Sequence, residues 1–282
     1  QEECKMQSKR QCRTIPLSKQ PLTLVLIQLR FSSLLNISDY IPAIQDQLRK
    51  NGFPLVYHKN IAKLEASPSG LEQVAVSQWK FETPERHTSV ILDQDQILLQ
   101  TTAYESFEKF IELYFSILKP VLDITEHGTH GIAGRLGLRY VDQVTRQSHD
   151  DDIDSYLRPS MQGMASPYFK NKKKRYTHIE VADTELRNGQ KGMLSIRILR
   201  NAEQLDLPSD LYSEAPVRLR IIDVNDDFAL IDMDHGCEKP FPSNCIGIPI
   251  DQLEDIYFAL HDTIDEVFFQ SVITEEGVKK WM

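Results

Sequence analysis

Four arginines in this sequence sit inside apolar, β-branched runs that read as strands: Arg30 in "LVLIQLRFSSLL", Arg139 in "LGLRYVDQV", Arg197 in "SIRIL" and Arg220 in "RLRII". A guanidinium keeps its charge at any pH a protein meets, and its planar fork donates two parallel hydrogen bonds to a carboxylate or phosphate. Successive side chains of a strand point to opposite faces. Gln28 and Arg30 therefore share one face, while Leu29 and Phe31 share the other. Likewise Gly137, Arg139 and Val141 oppose Leu138 and Tyr140, and Gly137 leaves room beside Arg139. Glu180, Asp223, Asp232 and Asp234 are candidate counter-charges. Three readings follow. The blandest is a partly solvated face carrying cross-strand ion pairs, each worth under about 1 kcal/mol. The sharpest is an arginine-lined groove for an anion or a partner, built from Arg30, Arg139, Tyr140, Arg197 and Arg220. The third is a set of buried pairs that fix strand register and are costly to break.

The run "KNKKKR" at 170–175 is the dense cationic cluster. Lys172, Lys173, Lys174 and Arg175, flanked by Tyr168, Phe169 and Tyr176, could meet nucleic acid or an anionic partner, since aromatics stack on bases. An ordinary solvated loop explains it equally simply. His261 and Asp265, one helical turn apart in "LHDTIDE", contain the ingredients of general-base chemistry. No nucleophile points to them, and a helix with surface charges accounts for the spacing. The acidic run "SHDDDID" at 148–154 could hold a hard cation, but reads as the start of a helix favoured by the macrodipole. Cys4, Cys12, Cys237 and Cys245 form no C-x-x-C, so neither zinc nor any other cofactor is expected. The glycine-rich phosphate loops, the nucleophile elbow and the H-E-x-x-H motif are all absent from the sequence. The expectation is a protein that is not an enzyme.

These residues need a scaffold. The chain has 282 residues, 41% hydrophobic and 26% charged, ordinary for a soluble globular protein. Its net charge of -9 opposes nucleic-acid binding over the whole surface. No apolar run approaches the roughly 20 residues that span a bilayer, and no secretory signal leads the chain. A cytoplasmic protein without membrane contact is expected.

Residues 1–20 are polar and lack periodicity, and read as a flexible leader. In the N-terminal half, 21–145, a central strand at 22–31 leads to a helix capped by Ser38 and ended by Asn51-Gly52, with Pro42 confined to its first turn. Three strands follow in "LEQVAVSQWKF", "HTSVILDQD" and "QILLQTTAY", the last two joined through Asp93-Gln94-Asp95 as a hairpin. The spacing of Phe107, Phe110, Ile111, Tyr114, Ile117 and Leu118 predicts an amphipathic helix interrupted at Pro120. The strand holding Arg139 closes this half. The C-terminal half, 146–282, begins with an acidic helix start. Strands follow in "RYTHIEVADTEL", "KGMLSIRILRN" and "VRLRIIDVNDDFALIDMDHG". A long helix at 249–270 then carries Leu253, Ile256, Tyr257, Leu260, Ile264, Val267 and Phe268 in one stripe, and Thr274 caps a final turn. Both halves are rich in β-α-β order. The expected class is α+β, with mostly antiparallel sheet covered by long amphipathic helices; whether the halves share one sheet stays open.

Four segments carry a resemblance. "PLTLVLIQLRF" resembles the PLVEV-x-x-x-L-R-F opening of a sporadically distributed prokaryotic family, "ILLQTTAYESFEKF" its T-T-x-Y segment, "GRLGLRY" its R-x-G-L-R-Y core, and "LHDTIDEVFFQSVIT" its closing helix. The resemblance spans nearly all of 21–282 and departs at the opening, where Thr23 or Leu24 replaces an acidic residue. The family has no agreed activity, so it points to Arg30, Arg139 and Tyr140 without a catalytic role. Its scattered occurrence implies a regulatory, antitoxin-like or defence-associated component. The resulting expectation is a non-enzymatic protein that binds a macromolecular, most simply protein, partner; a homo-oligomer is compatible with it. The alternative is a sensor of a small anion or nucleotide, with a pocket between sheet and helix.

Overall fold

The computed structural model describes residues 21–67, 70–148, 150–164, 174–186, 189–200 and 227–282. The leader at 1–20 with Cys4 and Cys12, the residues Tyr168, Phe169, Lys172, Lys173, Arg220 and Asp223, and the strand expected around Arg220 lie outside the described residues.

Strand β1 (Leu22–Phe31) is followed by helix α1 (Ile37–Lys50) and strands β2 (Leu55–Ser67), β3 (Gly70–Glu82), β4 (Thr88–Asp93) and β5 (Gln96–Thr101). Helix α2 (Phe107–Ile124), the single turn α3 (His127–His130) and strand β6 (Ala133–Thr145) come next. Strands β7 (Tyr176–Glu185), β8 (Lys191–Arg200) and β9 (Phe228–Glu238) precede helix α4 (Ile250–Val267) and the short α5 (Glu275–Trp281). The nine described strands form one sheet, in the order β2-β3-β4-β5-β1-β6-β9-β8-β7. Every neighbouring pair is antiparallel. The α+β class stands, and strands from both sides of residue 145 lie in a single sheet, because β6 pairs with β9 from Arg135 to Thr145.

Several local expectations change. The segment 55–67 is a strand that the sequence pattern does not announce. Among its described side chains Val56 and Tyr57 are exposed, so an edge strand of this kind has no buried face to impose alternation. Helix α1 starts after Asn36, whose side chain makes no capping bond, rather than at Ser38, and holds Pro42 beyond its first turn, and α2 runs on through Pro120. A proline frees the carbonyl four residues earlier. Here those residues are Ser38 and Ser116, both exposed, so water can satisfy the freed groups. The acidic run at 148–154 opens no α-helix; Asp152 caps a short 3-10 turn at Ile153–Ser155.

The sheet's two faces differ. Val25, Ile27, Leu29 and Phe31 of β1 join Leu136, Leu138 and Tyr140 of β6 and Ile231 and Met233 of β9 in the main buried cluster. Ile41, Ile44 and Leu48 of α1, the stripe of α2, and Leu253, Ile256, Leu260 and Ile264 of α4 belong to the same cluster. Burying each such side chain stabilises the fold by about 1.5–3 kcal/mol. Helix α4 packs on β6 and β9, while α2 packs on α1 and α4. This is the helix face. The opposite, far face carries a smaller apolar cluster of Leu24, Leu26, Ile91, Leu98, Val141 and Leu230. Beyond that cluster it carries charged and polar side chains on β6 and β9, and exposed Met193, Val181 and Ile179 on β8 and β7.

Candidate functional site

The far face gathers the strand arginines. Register places Leu26 opposite Arg139, Gln28 opposite Gly137 and Arg30 opposite Arg135, across β1 and β6. On the other side of β6, Arg135 faces Glu238, Gly137 faces Gly236 and Arg139 faces Asp234. Arg197 of β8 faces Asp232 of β9. Arg30, Arg135, Arg139 and Arg197 therefore share one surface with Asp232, Asp234 and Glu238. Arg220 lies outside the described residues.

These guanidiniums are largely held by carboxylates. Arg139 donates from Nε to Asp232 Oδ1 at 2.6 Å and from Nη2 to Oδ2 at 2.8 Å, a bidentate pair. The carboxylate is only 3% exposed, and Arg197 Nη1 lies 3.7 Å from it. Burial pushes Asp232 up from its ordinary value, while Arg139 and then Arg197 oppose the shift. Arg135 is held differently. A Cβ added to Gly137 would stand 2.3 Å from its Nη1, and one added to Gly236 2.6 Å from its Nη2. The guanidinium thus rests on a floor of two facing glycines, which only residues without a side chain provide. From there Nη1 donates to Gln28 Oε1 at 2.8 Å, Nη2 donates to Asp234 Oδ1 at 3.1 Å, and Nε lies 3.2 Å from Glu238 Oε1. Gln28 passes the network on to Gln96 at 2.5 Å, and Gln96 donates to Asp93 at 2.8 Å. A polar chain therefore crosses β6, β1, β5 and β4. Arg30 is exposed and forms no ion pair with a described residue.

Large apolar side chains continue this face toward its free edge. Ile179 and Val181 of β7 and Met193 of β8 are 59%, 57% and 50% exposed. Ile179 faces Arg197, and Val181 faces Ser195.

Tyr140 stands on the helix face, away from the arginines. Its hydroxyl bonds His261 Nδ1 at 2.8 Å and lies 3.4 Å from the Tyr104 hydroxyl. Phe107 stacks on the His261 ring at 4.1 Å and 13°. His261 is therefore no surface charge: burial pulls its imidazole down to about 4. Asp142, two residues along β6, is buried and pushed up to about 8, first by burial and then by Asp265. Asp265 itself rises to about 6, through burial and Asp262. Burial thus favours the uncharged forms of both the His261 imidazole and the Asp142 carboxyl.

One groove opens between α2 and α4. It encloses about 480 Å³, with Ile111, Phe115 and Phe258 among its lining and Glu108, Glu112, Glu254 and Lys119 around them. It lies between two helices, not between sheet and helix, and its charge suits a cationic guest. In the basic run, Lys174 Nζ is bound to Asp154 at 2.9 Å and Arg175 is exposed; Lys172 and Lys173 lie outside the described residues. No group of three or more histidines, cysteines or carboxylates placed to hold a metal occurs among the described residues. Nor is any described helix long and apolar enough to cross a membrane.

Sequence reasoning passed over Arg135 and Arg200. Arg135 lies on the same alternation as Gly137 and Arg139, so counting one step further back along the strand finds it. Arg200 is 4% exposed, ion-paired with Asp227 and donating to the Phe228 carbonyl at 3.1 Å. Nothing in the pattern of "SIRILR" marks that burial. No protein-family model matches the chain, and no curated protein matches it.

Proposed function

We propose that this is a non-enzymatic binding protein whose macromolecular partner, most simply another protein, seats on the far face of the sheet. The observation that carries this reading is the coincidence there of one uncommitted guanidinium, Arg30, with exposed Met193, Val181 and Ile179. Exposed apolar side chains rimmed by polar groups mark interaction surfaces, and arginine and methionine are enriched at their centres. Arg135 and Arg139 serve a different end: their carboxylate partners hold the strands in register and present the surface. The family resemblance adds the suggestion of a regulatory or defence-associated role.

The test follows from that division. Arg139→Gln is a poor probe, because it strands a buried carboxylate. Arg30→Glu combined with Met193→Gln changes only exposed side chains and adds no charge opposite Asp183, which Met193 faces. The tagged chain, expressed in its source cells, should retain its co-purifying partner, and the double variant should lose it with an unchanged melting temperature. Full retention by the double variant rejects the far face.

A second reading, a small-molecule sensor, draws on the groove between α2 and α4. Three glutamates there favour a cation over the anion or nucleotide expected from the sequence. Polyamines should then raise the melting temperature and phosphorylated metabolites should not. No shift with either class rejects it.

A further inference from the structure

Strand β7 ends the sheet. It pairs with β8 along its whole length, from Tyr176 to Glu185, without a bulge. Among the described residues nothing pairs with its other edge. Ten residues at about 3.3 Å each make a long open edge. Natural sheets blunt such edges with proline, lysine, bulges or very short strands. The stretch "YTHIEVADTE" has no proline, lysine or bulge; its charges are the carboxylates of Glu180, Asp183 and Glu185, and two of its β-branched side chains, Ile179 and Val181, are more than half exposed.

We propose that this edge is completed by β7 of a second copy of the chain, antiparallel, about a two-fold axis perpendicular to the sheet at Val181. A two-fold contact requires a strand to be complementary to itself. In this register Val181 meets its own counterpart, Ile179 opposes Asp183, Glu180 opposes Ala182, His178 opposes Thr184 and Thr177 opposes Glu185. No carboxylate stands directly against another. Moving the axis to Glu180 sets two glutamates opposite each other, which is destabilising. Moving it to Ala182 sets Val181 against Asp183 and Ile179 against Glu185, losing the apolar contact. Of these three centres, Val181 alone sets one of the two exposed apolar residues against its own copy while avoiding like charges; an axis at Ile179 would also avoid them, setting Ile179 against itself and Val181 against Thr177. The pairing makes one continuous sheet of both copies, with the two far faces side by side. It does not depend on what those faces bind.

Light scattering of the full chain after size exclusion, over a dilution series, tests it. Wild type should run as a dimer. Val181→Lys places two ammonium groups across the axis and should raise the dimer dissociation constant about tenfold or more, with an unchanged circular dichroism spectrum. Val181→Glu should do the same. An equimolar mixture of the two variants should dimerise again, since the charges across the axis are now opposite. That rescue is a result unfolding could not mimic. A monomeric wild type at the highest concentration, or a mixture no more associated than either variant alone, overturns the proposal. Either result leaves the partner-binding reading of the far face standing.

Discussion

Arg139 and Asp232 pose a local energetic problem that the fold solves by geometry. Two charges on a sheet face lose hydration, and their attraction repays this only when the hydrogen bonds are well formed. The bidentate contact at 2.6 and 2.8 Å meets that condition. Arg139→Gln leaves Asp232, 3% exposed, with only the more distant Arg197. It should cost on the order of 3–5 kcal/mol in urea unfolding, since an uncompensated charge stays buried. A loss below about 1 kcal/mol would mean that the pair behaves as an exposed one. Asp142 sets a second expectation. The folded state keeps its proton up to about 8, whereas the unfolded chain releases it near 3.8. Between those values the folded state binds more protons, so stability falls as pH rises. His261 works the other way, adding stability from about 4 to 6.5. Above the unfolded histidine value the raised carboxyls, Asp142 and with it Asp232, act in the same direction. Stability should therefore decline from pH 6.5 to 8, by up to about 1.4 kcal/mol per pH unit, and Asp142→Asn should flatten that decline. Chemical denaturation at three pH values checks it; an unchanged slope in the variant counts against the assignment. Alternation alone places Arg139 and Gly137 together. That Asp232 is the partner depends on β6 lying beside β9, which no local pattern encodes.

At the scale of elements, the strongest signals in the sequence are the periodic ones. The stripe of α4 is buried at Leu253, Ile256, Tyr257, Leu260 and Ile264, as its spacing predicts, because a helix that long can dock only by burying one face. Thr274 caps α5 as expected, accepting from the Gly277 amide at 3.0 Å. Thr274→Ala should cost about 1 kcal/mol, measured by thermal unfolding, whereas Thr274→Ser should be nearly neutral. Equal losses in both would assign the effect to the methyl group rather than the cap. The hairpin between β4 and β5 also turns where the polar residues predict, with Asp93 paired to Gln96. What escaped is the edge strand β2 and the continuation of α1 and α2 past their prolines. Each departs from its local rule on the solvent side, where water makes the departure cheap.

At the scale of the whole molecule, the single sheet brings β1 and β6 beside β9 and separates two environments. The helix face is buried and sets Tyr140 and Asp142 of β6 against His261 and Asp265 of α4. The far face is ionic at its centre and apolar toward β7. Composition and motif order indicate the class but not this division, because strand order is a long-range property: Arg139 and Asp232 meet only after the second half has folded back onto the first. We propose that the far face, not the helix groove, receives the partner. Carboxyl footprinting of the purified complex tests it most directly. Glu238 and Asp234, whose side chains are 67% and 35% exposed, should lose reactivity on binding, while Glu108, Glu112 and Glu254 of the groove should keep theirs. Protection of the groove glutamates with Glu238 and Asp234 unchanged would contradict the account.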